Sequence, residues 1–98
     1  SFGHDDSYIY FSMINEYKPK KIIEIGSGYS TQIALAAKEY GNLKTEIIAI
    51  EPYPRLELVK ISNNITLIER KLEDVPLDIF LSLGLIFLDK VISSKKTT

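Results

Sequence analysis

Four short runs of aliphatic and β-branched residues alternate with segments of helical character, and this alternation most narrows the possible folds. The runs are KIIEI at 21–25, TEIIAI at 45–50, ITLI at 65–68 and LIFL at 85–88. Each is nearly continuous in apolar residues, the pattern of a strand covered on both faces in a parallel sheet. Ahead of the first run, Asp6 or Ser7 can cap a helix that carries Ile9, Met13, Ile14 and Tyr17 at helical spacing, with Pro19 as its stop. The segment STQIALAAKEY at 30–40 reads as a second helix closed by Gly41. Pro54 stands where a third begins, and Leu56, Leu58, Val59 and Ile61 give that helix an apolar side. Asn63 and Asn64 form the entry turn to the third strand, and a short fourth helix over 75–83 ends at Gly84. Right-handed crossovers between parallel strands then predict an α/β fold, doubly wound, with strand order 3-2-1-4.

Ninety-eight residues support one domain, and the apolar fraction of 45% is that of an ordinary globular protein. A net charge of −1 argues against a nucleic-acid partner, which shows as a basic excess. Lys18, Lys20, Lys21, Lys95 and Lys96 read as solvated flanks, and 93–98 (SSKKTT) as a disordered tail. Without cysteine there are neither disulfides nor thiolate metal sites. The most apolar stretch, 75–88, is broken by Asp78, Ser82 and Gly84, and falls short of the roughly 18 apolar residues of a membrane span. The lack of a signal-peptide pattern gives a cytoplasmic expectation.

In a sheet of this kind ligands bind beyond the carboxyl ends of the strands, and IIEIGSGYST at 22–31 is the turn found there. Gly26 and Gly28 allow a tight turn and close approach of a ligand to the backbone, and the following helix directs its N–H groups and dipole to the same place. The alternative is a plain glycine turn. Glu24 lies two residues before Gly26 near the end of a buried strand, where an unpaired carboxylate is costly. Glu51 directly follows the second strand, the usual place for an acid that grips a ribose diol; otherwise it is a cap or surface acid. A dinucleotide fingerprint has a third glycine where this chain has Thr31. Glu24 would also repel a pyrophosphate, and suits a ligand with a cationic head such as an amino acid.

Four pieces, EIGSGYST at 24–31, AIEPYP at 49–54, ITLIERKLEDVP at 65–76 and LIFLD at 85–89, together resemble the first half of class I S-adenosylmethionine-dependent methyltransferases. The similarity spans about residues 20–89 and is greatest to the small-molecule branch associated with sugar and natural-product modification. It implies a three-layer Rossmann-like sheet that binds S-adenosyl-L-methionine. Glu24, Gly26, Ser27 and Gly28 would surround the amino acid part, Glu51 the ribose, and Pro52 or Tyr53 the adenine face. Glu73 and the Leu72 backbone would approach the adenine edge; alternatively Asp74 caps the next helix and Glu73 is solvated. Asp89 would be the catalytic-side residue near the methyl group, in O-methylation of a small-molecule substrate; otherwise it caps the following segment.

Complete members of that family continue through about three more strands, and usually carry small polar residues and a histidine soon after the fourth-strand acid. Here Asp89 is followed by Lys90, Val91 and Ile92, with no candidate general base. The expectation is therefore a single, partial domain over 1–98 whose fourth strand (Leu85, Ile86, Phe87, Leu88) is an exposed edge that invites self-association. The alternative functions are a catalytically inactive remnant that binds cofactor or partners, and a nicotinamide-dependent dehydrogenase half-domain, which Glu24 and Thr31 disfavour. His4, Asp5 and Asp6 read as a solvated helix start, leaving no metal site in the expectation. Tyr8, Tyr10, Phe11 and Tyr17 either line a substrate pocket or pack on the sheet.

Overall fold

A computed structural model describes residues 4–26 and 28–79. Its order of elements is α1 (His4–Tyr17), β1 (Lys21–Ile25), α2 (Tyr29–Tyr40), β2 (Glu46–Ile50), α3 (Leu56–Lys60) and β3 (Thr66–Ile68). Single 3₁₀ turns, Ser62–Asn64 and Leu72–Asp74, precede and follow β3. The fold is mixed α/β, with one parallel three-stranded sheet in the order β1-β2-β3. The fourth run at 85–88, the remainder of the 75–83 helix and the 93–98 tail lie outside the described residues.

The central strand is buried along both of its faces. Ile47, Ile48, Ala49 and Ile50 are each no more than 1% exposed. Side chains alternate across a strand, so Ile47 and Ala49 share one face and Ile48 and Ile50 the other. Each fully buried isoleucine contributes about 1.5–3 kcal/mol, against roughly 1 kcal/mol net for a ladder hydrogen bond. The apolar content of TEIIAI thus matters more than its backbone pairing. One core cluster joins Ile14 of α1, Ile22 of β1, Ala34, Leu35 and Ala37 of α2, and Ile47 of β2.

The buried face of α1 differs from the expected one. Ile9, Met13 and Tyr17 are exposed; the stripe on the core is Tyr10, Phe11 and Ile14. Both stripes have helical spacing, and periodicity alone does not choose between them. The Phe11 ring meets Tyr40 of α2 in a tilted pair with centroids 5.4 Å apart, whereas Tyr8 is exposed. The helix also begins earlier than a cap at Asp6 or Ser7 allows, so Asp5 and Asp6 occupy its first turn, where negative charge meets the positive end of the dipole. It stops at Lys18, whose φ of 48° is left-handed and whose N–H still reaches Ile14 O at 2.9 Å. Pro19 then has no N–H to continue the ladder.

The end of α2 also corrects the sequence reading. Gly41, expected to close the helix, has φ −86°, and Asn42, at φ 51°, takes the left-handed conformation that ends it. Leu43 N–H bonds Lys38 O at 2.9 Å and Asn42 N–H bonds Glu39 O at 3.2 Å, a complete Schellman closure. Gly41 serves packing instead: a Cβ there would lie 2.2 Å from Asn15 Oδ1. Asn15 Nδ2 in turn donates to Ala37 O at 3.1 Å, joining α1 to α2 at this close approach.

Thr45 precedes β2 and is not part of it. It is buried, and its hydroxyl donates to Pro19 O at 2.6 Å, tying the entry of β2 to the α1–β1 link. Ile65 likewise precedes β3, and Asn63 and Asn64 belong to a 3₁₀ turn. In α3 only Leu58 is buried, while Leu56 and Val59 are exposed, because a five-residue helix offers one position to the core. Pro54 lies outside that helix, ahead of Arg55, its extended N-cap residue. Val75 is buried ahead of the fourth helix, which starts at Leu77, two residues later than expected.

Candidate functional site

Two parallel strands end side by side and each carries an acid. Residue pairing runs from Lys21↔Glu46 to Ile25↔Ile50, and the backbone continues it by one step. Gly26 N–H donates to Ile50 O at 2.9 Å, and Glu51 N–H donates to Ile68 O at 3.0 Å. Gly26 and Glu51 are therefore neighbours at the carboxyl edge of the sheet. Gly26 has φ +67°, a conformation that glycine adopts without penalty. A Cβ at this residue would meet Glu51 Oε2 at 3.8 Å, so conformation rather than space demands the glycine.

The Glu51 side chain is braced by its own loop. Its Oε1 accepts the Tyr53 N–H at 3.2 Å, while Oε2 lies on the side where a Gly26 side chain would project. Pro52 is half-buried and Tyr53 is exposed. Gly28 is the N-cap residue of α2 and supplies no side-chain cap, and none of the described residues lies within 4 Å of where its Cβ would be. Among the described residues, the start of α2 is therefore open at Gly28. Thr31, at the third-glycine position, is fully buried, and its hydroxyl has no hydrogen-bond partner among the described residues.

Glu24 is half-buried on β1, and its two oxygens are taken by hydroxyls from two different helices. Tyr10 of α1 donates to Oε2, and Ser30 of α2 donates to Oε1. Burial first, then the Glu24 charge and the hydrogen bond to it, raise the Tyr10 phenol well above its ordinary value. The phenol therefore stays protonated, a donor to the carboxylate. The sequence reading gave Tyr10 a pocket or packing role and Ser30 only a place in the helix start. Their partnership with Glu24 spans 14 and 6 residues, and no local pattern signals either.

The remaining expected site residues are more loosely connected. Leu72 and Glu73 are exposed in the 3₁₀ turn after β3, on the same end of the sheet by chain order. Asp74 closes that turn through its N–H to Lys71 O at 2.9 Å; the following helix starts at Leu77, directly after Pro76, so Asp74 is not its cap. Ser27 and Asp89 lie outside the described residues. Among the described residues, no cluster of three His, Asp or Glu side chains is placed to hold a metal ion, and no helix is long and apolar enough to cross a membrane. A shallow polar groove, with Lys38, Lys44, Asn63 and Asn64 on its walls, lies at the opposite, amino-terminal end of β2 and β3.

No protein-family model matches the chain, and no solved structure matches it. It is similar to a protein of Archaeoglobus fulgidus described as uncharacterized, with 42% identity over 79 residues. The aligned region covers 76% of this chain and 36% of that protein, so the chain spans about a third of the length of the curated relative it matches. That name assigns no chemistry. What the site can do rests on its geometry: an open glycine turn at a helix start, one carboxylate beside its backbone, and a second held on the adjoining strand.

Proposed function

We propose that the chain is the cofactor-binding part of a class I S-adenosylmethionine-dependent methyltransferase acting on a small molecule, with oxygen as the methyl acceptor. The observation that carries this reading is the pairing of the β1 and β2 ends, which sets the Glu51 carboxylate on the side where a Gly26 side chain would project, next to the strand that holds Glu24. Two acids flanking a glycine turn suit a ligand with a diol on one side and a cationic amino group on the other, and suit a pyrophosphate poorly. Thr31 supports the same choice, because a fully buried side chain fills the position that a dinucleotide fingerprint leaves to glycine.

The residues present fit the group. Glu51 can accept from a vicinal diol while its Oε1 keeps the Tyr53 amide. Gly26 and Gly28 leave the backbone approachable, and Glu24 offers negative charge at the β1 end. Pro52 or Tyr53 would adjoin the adenine, Glu73 and the Leu72 backbone its edge, and Ser27 the amino acid part. When bound, the cofactor supplies an activated methyl on a sulfonium centre. The protein's task is then to hold donor and acceptor in line, with Asp89 on the substrate side. The three-layer sheet, in the order 3-2-1-4, belongs to this proposal, as does self-association through the 85–88 strand.

Calorimetric titration with S-adenosylhomocysteine and with NAD tests the reading. We expect the first to bind and Glu51→Ala to weaken it by at least about tenfold, the loss of a charged hydrogen-bond acceptor. Binding of NAD alone would overturn the proposal.

A further inference from the structure

The Glu24 carboxylate is gripped from two helices at once. Tyr10 reaches it from α1, and Ser30 reaches it from the first turn of α2. All three residues are only half-buried, so the cluster is not sealed in the core, and Glu24 and Ser30 each lie two residues from the glycine turn at 26–28. A carboxylate has about four lone-pair positions. One hydroxyl on each oxygen leaves a further position on each, and turns the plane of the group to a fixed orientation. An ammonium, with three donors, can use the positions that remain.

We propose that Tyr10 and Ser30 are positioning residues that hold Glu24 so that it selects ligands bearing a free ammonium group at the glycine turn. This rests on the cofactor reading above and adds the source of its preference for an amino acid tail. Without the two hydroxyls, Glu24 would keep its charge but sample several rotamers, and part of its attraction would be lost to solvent. A purely structural role, fastening α1 to the sheet, predicts a different outcome: stability changes, and every ligand weakens alike.

The test compares S-adenosylhomocysteine with 5′-methylthioadenosine, which has the same adenine, ribose and thioether but lacks the amino acid. Wild-type protein should bind the first more tightly. Tyr10→Phe and Ser30→Ala should each lower its affinity by about tenfold and leave methylthioadenosine unchanged, and Ser30→Thr, which keeps the hydroxyl, should restore binding. Thermal melts identify any variant that fails to fold; should Tyr10→Phe be one, Ser30→Ala and its threonine rescue decide the matter. Equal losses for both ligands, or no loss, would overturn the positioning role while the cofactor reading stands. A wild-type protein that binds both ligands equally also overturns it. Binding of neither removes the cofactor reading, and this inference with it.

Discussion

Glu24 and Glu51 end neighbouring strands, yet they are restrained by different means. The tether of Glu51 is local, an amide two residues along its own loop, whereas that of Glu24 reaches to α1 and α2. Only the Glu24 tether contains a titrating donor. Tyr10 ionises above its ordinary value of 10.0 in the folded protein because it is buried and faces a negative charge. Above pH 10 the unfolded chain therefore releases this proton while the folded one retains it. The folded state then binds more protons, and stability falls as pH rises. Urea denaturation between pH 9 and about 11 should show a steeper loss of stability for wild-type protein than for Tyr10→Phe; parallel curves would contradict the Tyr10–Glu24 contact. In the sequence Glu24 was legible as an acid needing compensation, and Glu51 as an acid at a strand end. The compensating hydroxyls were not, because which face of α1 meets the sheet is decided by tertiary packing.

At the scale of elements, the α1–α2 junction shows what sequence patterns convey and what they leave open. The glycine at 41 was read as the close of the helix, whereas the left-handed closing conformation falls on Asn42. Gly41→Ala places a methyl 2.2 Å from Asn15 Oδ1, and we expect a loss of about 1–3 kcal/mol, as for overpacking in a core. Asn42→Gly relieves a left-handed residue of its Cβ and should be neutral or stabilising by up to about 1 kcal/mol. Chemical denaturation of the two variants separates the roles, and a larger loss from Asn42→Gly than from Gly41→Ala would reverse the assignment. Strand positions were readable to within one residue because aliphatic runs leave little choice. The first residues of TEIIAI and ITLI fall outside the strands for identifiable reasons: Thr45 spends its hydroxyl on Pro19 O, and Ile65 packs against the core cluster.

For the whole molecule, stability is concentrated on β2. It pairs on both sides, and its four residues Ile47 to Ile50 are closed to solvent. By contrast, α3 and the 3₁₀ turn Ser62–Asn64 bury a single side chain, Leu58, between them. Hydrogen exchange should find the β2 amides protected at least about 100-fold longer than those of α3, since local opening follows buried contacts; equal protection would mean that the sheet does not organise the fold. The α/β class was legible because burial of the central strand on both faces leaves the run IIAI at 47–50, whereas β1, with Ile22 alone buried, and β3, with no residue fully buried, carry the same aliphatic character without that burial. Contacts between helices depend on shape and carry no such mark.

The one-step extension of pairing beyond β1 and β2 has a consequence for variation in this chain. Gly26 bonded to Ile50, and Glu51 bonded to Ile68, hold both acids by residue count along the strands. Deleting one residue within KIIEI would carry Glu24 to the opposite face of the sheet, away from Tyr10 and Ser30, even if every remaining side chain were unchanged. The tally of residues between the two acids cannot drift. Descendants of this sequence should therefore tolerate substitution in the first two strands far better than insertion or deletion there.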